Sequence, residues 1–197
     1  DIQAQRVQPY QQMHIWDSAG YGRLDFSTDD LPNRADNGQL GWIIENSVIR
    51  NALWQKAQQD QQIHFFTEEK LTNIALGDSE VFASFSTMAP ITAKLVVGAD
   101  GARSWVREQM KFALTFRDCD HHAIVATVKT PQGHQNTAWQ VFGHDGPLAF
   151  LPLAMQDDNS DLCSIVWSCS PDKAKRLAAL APQEFNKEIT AASDGKL

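Results

Sequence analysis

The sequence predicts an α+β fold: a mostly antiparallel β-sheet packed with helices, plus a smaller segment in which a strand turns tightly into a helix. Three observations predict it. Between Ala123 and Ser168, four β-rich segments are separated by Gly, Pro, Asp and Asn clusters. Two helix-like segments follow, each opening on a proline, Pro171 and Pro182. Upstream, AKLVVGADGARSWVR (Ala93–Arg107) joins an apolar run to a Gly-Ala-Asp-Gly turn and a helix start.

From the amino end, Pro9–Trp16 reads as a strand. Ser18–Gly22 reads as a hairpin turn, and Arg23–Phe26 as the return strand with Leu24 and Phe26 on one face. Thr28–Gly38 is polar and holds a proline, so it is a loop. Leu40–Ile44 is apolar and short. A helix capped by Asn46 or Ser47 then runs to about Gln59, carried by Val48, Ile49, Ala52 and Leu53. Ile63–Phe66 reads as a buried strand. Lys70–Leu76, Val81–Ser86 and Ile91–Val97 read as a meander, with Leu95–Val97 its buried end. Ser104–Met110 is a short helix. The sheet segments are Ala123–Val128, Thr137–Phe142, Pro147–Leu153 and Leu162–Ser168, with turns at Pro131–Gly133, Gly143–Gly146 and 157–160. Pro171–Ala181, capped by Ser170, and Pro182–Ala192 are the closing helices.

Three domain segments follow: 1–45, a hairpin and loop opening the sheet domain; 46–111, the helix, meander and glycine turn; and 112–197, the main sheet with its helices.

Composition narrows the function. The 197 residues are 43% hydrophobic and 21% charged, which suits a globular core. A net charge of −7 argues against a nucleic-acid surface. Three cysteines without metal spacing suggest reduced thiols in a cytoplasmic protein. No apolar run approaches the roughly 18 residues of a membrane span.

In the glycine turn, Gly98 and Gly101 permit backbone angles closed to other residues and let a ligand approach the main chain. Asp100 and Ser104 can cap the helix, whose start offers N–H groups to an anion. Arg107 can contact a phosphate in bidentate fashion. Trp139, Phe142, Phe150, Leu151 and Pro152 can line an apolar pocket on the sheet, with Pro152 marking an edge or bulge. His121 and His122 point to opposite faces of a strand, so no metal is expected there. No Ser-His-Asp or Cys-His constellation is visible, and no catalytic side chain is assigned.

GADGARSWVR resembles the second flavin fingerprint, the DG motif, of the class A flavoprotein aromatic hydroxylases. Tyr10–Met13 with Trp16-Asp17, Glu45–Val48, Ala138–Phe142, Ala149–Leu153 and Cys163–Ser168 resemble the ubiquinone-biosynthesis hydroxylases within that family. His121-His122 and the Ala-Ile-Val-Ala-Thr after them are most similar to the 2-octaprenylphenol hydroxylase branch. The resemblance runs from about Val7 to the end.

It implies a p-hydroxybenzoate-hydroxylase-like fold, with 46–111 as part of an FAD-binding domain and 112–197 as substrate domain. It implies FAD as cofactor and NAD(P)H as reductant, with Asn46, Gly98, Asp100, Gly101 and Arg107 on the flavin side. The flavin carries the oxygen chemistry, and the protein orients the substrate and excludes water. The implied substrate is a polyprenylated phenol or benzoquinol. The implied setting is cytoplasmic, with peripheral membrane contact or a ubiquinone-biosynthesis complex, and no nucleic acid. The family's GxGxxG unit and its Gly-Asp-Ala-Ala-His stretch do not occur here. The expectation is therefore an internal portion of a longer enzyme, inactive and without FAD by itself. A non-catalytic aromatic-ligand module is one alternative. A class A hydroxylase for another aromatic substrate is a second, and a soluble aromatic acid would call for Arg or Tyr. The segments Ala123–Val128, Thr137–Phe142 and Pro147–Leu153 contain neither, which favours a greasy substrate.

Overall fold

The computed structural model describes residues 2, 5–31, 38–154 and 160–196. Parts of the Thr28–Gly38 loop and of the 157–160 turn lie outside them. The chain divides into two compact units, Asp1–Gln59 with Asp118–Leu197, and Asp60–Arg117. The helix bearing Asn46 thus groups with the sheet, whereas the glycine turn belongs to the second unit.

In the first unit, the strand read at Pro9–Trp16 is two strands, β1 (Val7–Tyr10) and β2 (Gln12–Asp17). They part at Gln11, whose N–H donates to the Asn136 carbonyl at 2.8 Å and whose carbonyl accepts from Thr28 N at 3.1 Å. β1 pairs antiparallel with β4 (Gly41–Ile44). There the Tyr10 ring lies on Gly41, where a Cβ would sit 2.9 Å from its hydroxyl. β2 turns through Ser18–Gly22 into β3 (Arg23–Ser27), as the glycines foretell. Leu24 and Phe26 share a face, and that face is exposed.

β2, β3 and four later strands form one sheet of order β3-β2-β9-β10-β11-β8. The later strands are β8 (His122–Lys129), β9 (Thr137–Gly143), β10 (Gly146–Pro152) and β11 (Leu162–Cys169). All pairings are antiparallel except β2 with β9. The β9–β10 turn requires Gly146: its φ is +128°, and a Cβ there would meet the Ser168 carbonyl oxygen at 2.4 Å.

Side-chain alternation gives the sheet two faces. Trp16, Val141, Leu148, Phe150, Cys163, Ile165 and Trp167 point to one. Helices α3 (Pro171–Ala178) and α4 (Pro182–Ala192) cover that face with Ala174, Leu177 and Ile189. Each fully buried aliphatic side chain here contributes about 1.5–3 kcal/mol. Both helices carry proline in the first turn, as the sequence predicts, but Ser170 makes no side-chain cap bond. Glu45, not Asn46 or Ser47, holds the N-cap position of helix α1 (Asn46–Gln58), and its side chain makes no cap bond. Glu45 has the extended backbone of a cap and an ion pair to Arg6 at 2.7 Å.

The second unit holds a three-stranded antiparallel sheet, β5 (Leu71–Leu76), β6 (Val81–Phe85) and β7 (Ile91–Ala93), and helix α2 (Trp105–Gln109). Two expectations fail here. Ile63–Phe66 is not a strand. It follows a turn held by Asp60, joins no ladder among the described residues, and leaves Ile63, Phe65 and Phe66 exposed. Leu95–Val97 is not a buried strand either: pairing stops at Ala93, and Leu95 and Val97 are 76% and 74% exposed. Apolar content alone does not make a strand, because the backbone also needs a neighbour to bond.

Candidate functional site

The glycine turn is built around one carboxylate. Asp100 Oδ2 accepts from Trp105 N at 2.7 Å and Val106 N at 3.2 Å, and Oδ1 accepts from Ser104 Oγ at 2.5 Å. Ser104 is buried, and its Oγ accepts from Arg107 N at 3.0 Å. The Ser104 hydroxyl, followed by the Val106 and Trp105 amides, holds the Asp100 carboxyl below the usual carboxylate range. The first three N–H groups of α2 are therefore taken by the protein's own side chains. The expectation that the helix start offers them to an anion is corrected by Asp100 itself.

The two glycines differ in role. A Cβ on Gly98 would sit 3.1 Å from Val106, so this glycine lets the helix pack close, and it also lines an apolar recess. Gly101 has φ +88°, and a Cβ there would meet nothing within 4 Å. Its backbone faces open space in a conformation that favours glycine. Arg107 anchors on the Ala102 carbonyl through Nη1 at 3.0 Å, spanning the turn. This leaves further guanidinium N–H groups for an anionic partner. Behind the turn lies an apolar recess of about 300 Å³, lined by Ile74, Leu76, Val81, Leu95, Val106 and Phe112, with Lys94 and Arg107 contributing charge. For FAD, then, the turn fits contact through the Gly101 backbone and the Arg107 guanidinium, and does not fit a phosphate seated on α2. Asn46 is the exposed first residue of α1, in the other unit.

The five sheet residues do not line one pocket. Phe150 (2% exposed) and Pro152 are buried on the helix-covered face, with Trp139 packed beside them. Phe142 and Leu151 point the opposite way. Pro152 marks neither an edge strand nor a bulge. It pairs with Cys163 at the end of central strand β10, beyond the last β9 partner, so its missing N–H breaks no ladder. A groove of about 980 Å³ runs between β8 and the two helices, and Phe150 alone of the five touches it. On the opposite face, Phe142 (46% exposed) and Leu151 share a surface with Gln140, Ala149 and Val166, which the sequence reading missed. Position parity along β9, β10 and β11 would have found them.

A polar cluster outside the sequence motifs adjoins Trp139. His14 lies beside Trp139, ring centroids 4.7 Å apart, and its Nδ1 bonds the Asp25 carboxylate, which also accepts from Arg23 Nε at 2.6 Å. Arg23 and then His14 hold the Asp25 carboxyl below its usual range. This cross-strand triad ties the β2–β3 hairpin. His121 and His122 are exposed, and among the described residues no group of three or more His, Cys, Asp or Glu could hold a metal. Nor is any described helix long and apolar enough to cross a membrane.

The sequence is 30% identical over 202 residues to the mitochondrial ubiquinone biosynthesis monooxygenase COQ6 of Xenopus tropicalis, covering 97% of this chain and 41% of that protein. It is 29% identical over 189 residues to the 3-demethoxyubiquinol 3-hydroxylase of Escherichia coli (strain K12), covering 95% and 46%. The chain thus spans less than half the length of these relatives. Among solved structures, Pseudomonas aeruginosa PqsL in complex with 2-aminobenzoylacetate matches with TM-score 0.78 at 15% identity, over 96% of this chain and 50% of that one. The halogenase PltM in complex with phloroglucinol and FAD matches with TM-score 0.63 at 14% identity, over 96% and 40%. At such identities these two show the fold alone. Residues 31–197 match the family model described as FAD binding domain, and the chain belongs to that family.

Proposed function

We propose that the whole protein is an FAD-dependent monooxygenase that uses NAD(P)H and O₂ to hydroxylate a polyprenylated phenol or benzoquinol ring in ubiquinone biosynthesis. The carrying observation is the family match over residues 31–197, with ubiquinone-biosynthesis monooxygenases as relatives across nearly all of the chain. The bound flavin would supply the oxygen-activating redox chemistry. This chain's part is binding and exclusion of water. Gly101 presents its backbone to the cofactor, Arg107 contributes positive charge, and Asp100 acts as a positioning residue that holds Ser104 and α2 beneath the turn. Asn46, at the start of α1, is a candidate flavin contact by family resemblance alone.

On the sheet, the substrate ring lies against the face of Phe142, Leu151 and Val166. Trp139, Phe150 and Pro152 support that face from behind as core. The absence of Arg and Tyr from the three sheet segments favours a ring without a carboxylate and with an apolar tail. The likeness of His121–Thr127 to the octaprenylphenol branch favours a phenol with an octaprenyl tail. Such a substrate resides in a membrane, so the protein works at a cytoplasmic membrane surface or in an assembly of the ubiquinone pathway.

The test supplies the full-length protein with FAD, NADPH and ¹⁸O₂. It compares an octaprenylphenol, a demethoxyubiquinol and 4-hydroxybenzoate. One ¹⁸O atom in a prenylated product, and none in hydroxylated benzoate, is expected. NADPH oxidation coupled only to the benzoate would favour a hydroxylase of soluble aromatic acids. Ring binding without oxygen incorporation would favour a non-catalytic ligand module.

A further inference from the structure

His134 is 1% exposed in the turn between β8 and β9, and the site just described makes no use of it. Its surroundings are strained: Gly133, Gln135 and Asn136 have φ of +69°, +52° and +52°. Two consecutive non-glycine residues in the left-handed region persist only where their neighbours hold them. The imidazole does so, since Nδ1 accepts from Asn136 N at 3.1 Å. The His134 backbone is pinned as well, with its N–H on the Ser160 carbonyl at 2.7 Å and its carbonyl on Thr137 N at 2.9 Å. Asn136 in turn holds the point where β1 gives way to β2. Its carbonyl accepts from Gln11 N at 2.8 Å, and its side-chain oxygen accepts from Gln8 Nε2 at 2.8 Å.

A ring nitrogen that accepts an amide proton carries none of its own, so the neutral ring bears its hydrogen on Nε2. We propose that His134 is a protonation-controlled latch: the neutral Nε2–H ring holds the Gln135–Asn136 turn and, through it, the Gln8–Gln11 crossover, and a second proton on Nδ1 releases both. Protonation would set two donors face to face across the contact that is now 3.1 Å.

The surroundings favour the neutral form. Nε2 is buried with no partner at standard hydrogen-bond geometry among the described residues. The charged group facing the ring is Asp161, in the β10–β11 connection; its Oδ2 is engaged by Lys129 of β8 at 2.9 Å, and its Oδ1 is buried with no hydrogen-bond partner among the described residues. Burial pushes the His134 pKa below the ordinary histidine value, against weaker opposing pulls from the Leu153 backbone and Asp161. The opened turn has the ordinary pKa and binds the proton more readily. The latch is therefore intact above about pH 6.5 and weakens as pH falls toward the lower folded value.

The test is NMR of the ¹⁵N-labelled protein from pH 8 to pH 5. The His134 ring is expected as the Nε2–H tautomer at pH 8. Below about pH 6.5, protection of the Gln11 and Asn136 amides should fall by roughly tenfold per pH unit after correction for intrinsic exchange, the slope of one proton. In His134→Gln, whose amide oxygen can accept from Asn136 N but cannot titrate, the protection should become flat with pH. An Nδ1–H tautomer overturns the proposal, as does an equal pH slope in the two proteins. If His134→Gln does not fold, the wild-type tautomer and slope decide the matter.

Discussion

Ser104 and Asp100 form a two-residue clasp on α2: the Ser104 hydroxyl donates to Asp100 at 2.5 Å and accepts the Arg107 amide at 3.0 Å. The fingerprint aspartate is thus committed to the helix, and what faces outward is the Gly101 backbone. Ser104→Ala removes both bonds and should cost about 1 kcal/mol in denaturant unfolding, the usual cost of a lost N-cap. No change in midpoint would show that the clasp does not stabilise the fold.

The same clasp gives a pH dependence. The Ser104 hydroxyl holds the folded Asp100 carboxyl below its ordinary value. Its stabilising contribution is therefore present above the ordinary carboxylate range and is lost as pH falls through the lower folded value. Trp105 amide protection should drop in that acid window, and Asp100→Asn should remove the drop. A window unchanged in Asp100→Asn would assign it to another group.

The two sheet faces predict opposite outcomes for two phenylalanines. Phe150→Ala opens a cavity in the core and should cost about 3–5 kcal/mol. Phe142→Ala, on the open face, should cost less than about 0.5 kcal/mol and should weaken binding of a prenylated ring. Thermal unfolding and ligand titration of both variants check this. Equal destabilisation would mean that the open face is packed in the whole protein.

Thiol chemistry reads burial directly. Burial pushes Cys163 up to about 11 and also raises Cys169, whereas Cys119 is exposed. At pH 8, a thiol reagent should label Cys119 promptly and the other two only on unfolding. Fast labelling of Cys163 would contradict the packing of β11 against β8.

Gly146→Ala should destabilise by more than about 1 kcal/mol, because its φ is unsuited to alanine and the new Cβ would strike the Ser168 carbonyl. A neutral substitution would mean that the β9–β10 turn has another shape.

Much of the sheet was legible in the sequence. Alternation and turn residues placed β8 to β11, and prolines placed the starts of α3 and α4. Strand order was not legible, because the parallel pairing of β2 with β9 joins segments more than 100 residues apart and leaves no local mark. Apolar runs misled where no neighbour among the described residues supplies a ladder, at Ile63–Phe66 and Leu95–Val97. Residue type alone groups the five pocket residues. Their parity already put Phe150 and Leu151 on opposite faces, but which face the helices cover depends on tertiary packing. Asp100 and Ser104 were legible as caps; that they take the first three N–H groups of α2 depends on the folded geometry of the turn.

The most direct test of the account is a flavin titration of the full-length protein and its Arg107→Ala variant, followed by fluorescence quenching. FAD should bind the parent protein. It should bind the variant roughly tenfold or more weakly, the loss expected for one charge-assisted contact. A parent protein that binds no flavin would contradict the monooxygenase reading, and a variant that binds as tightly as the parent would remove Arg107 from the cofactor site.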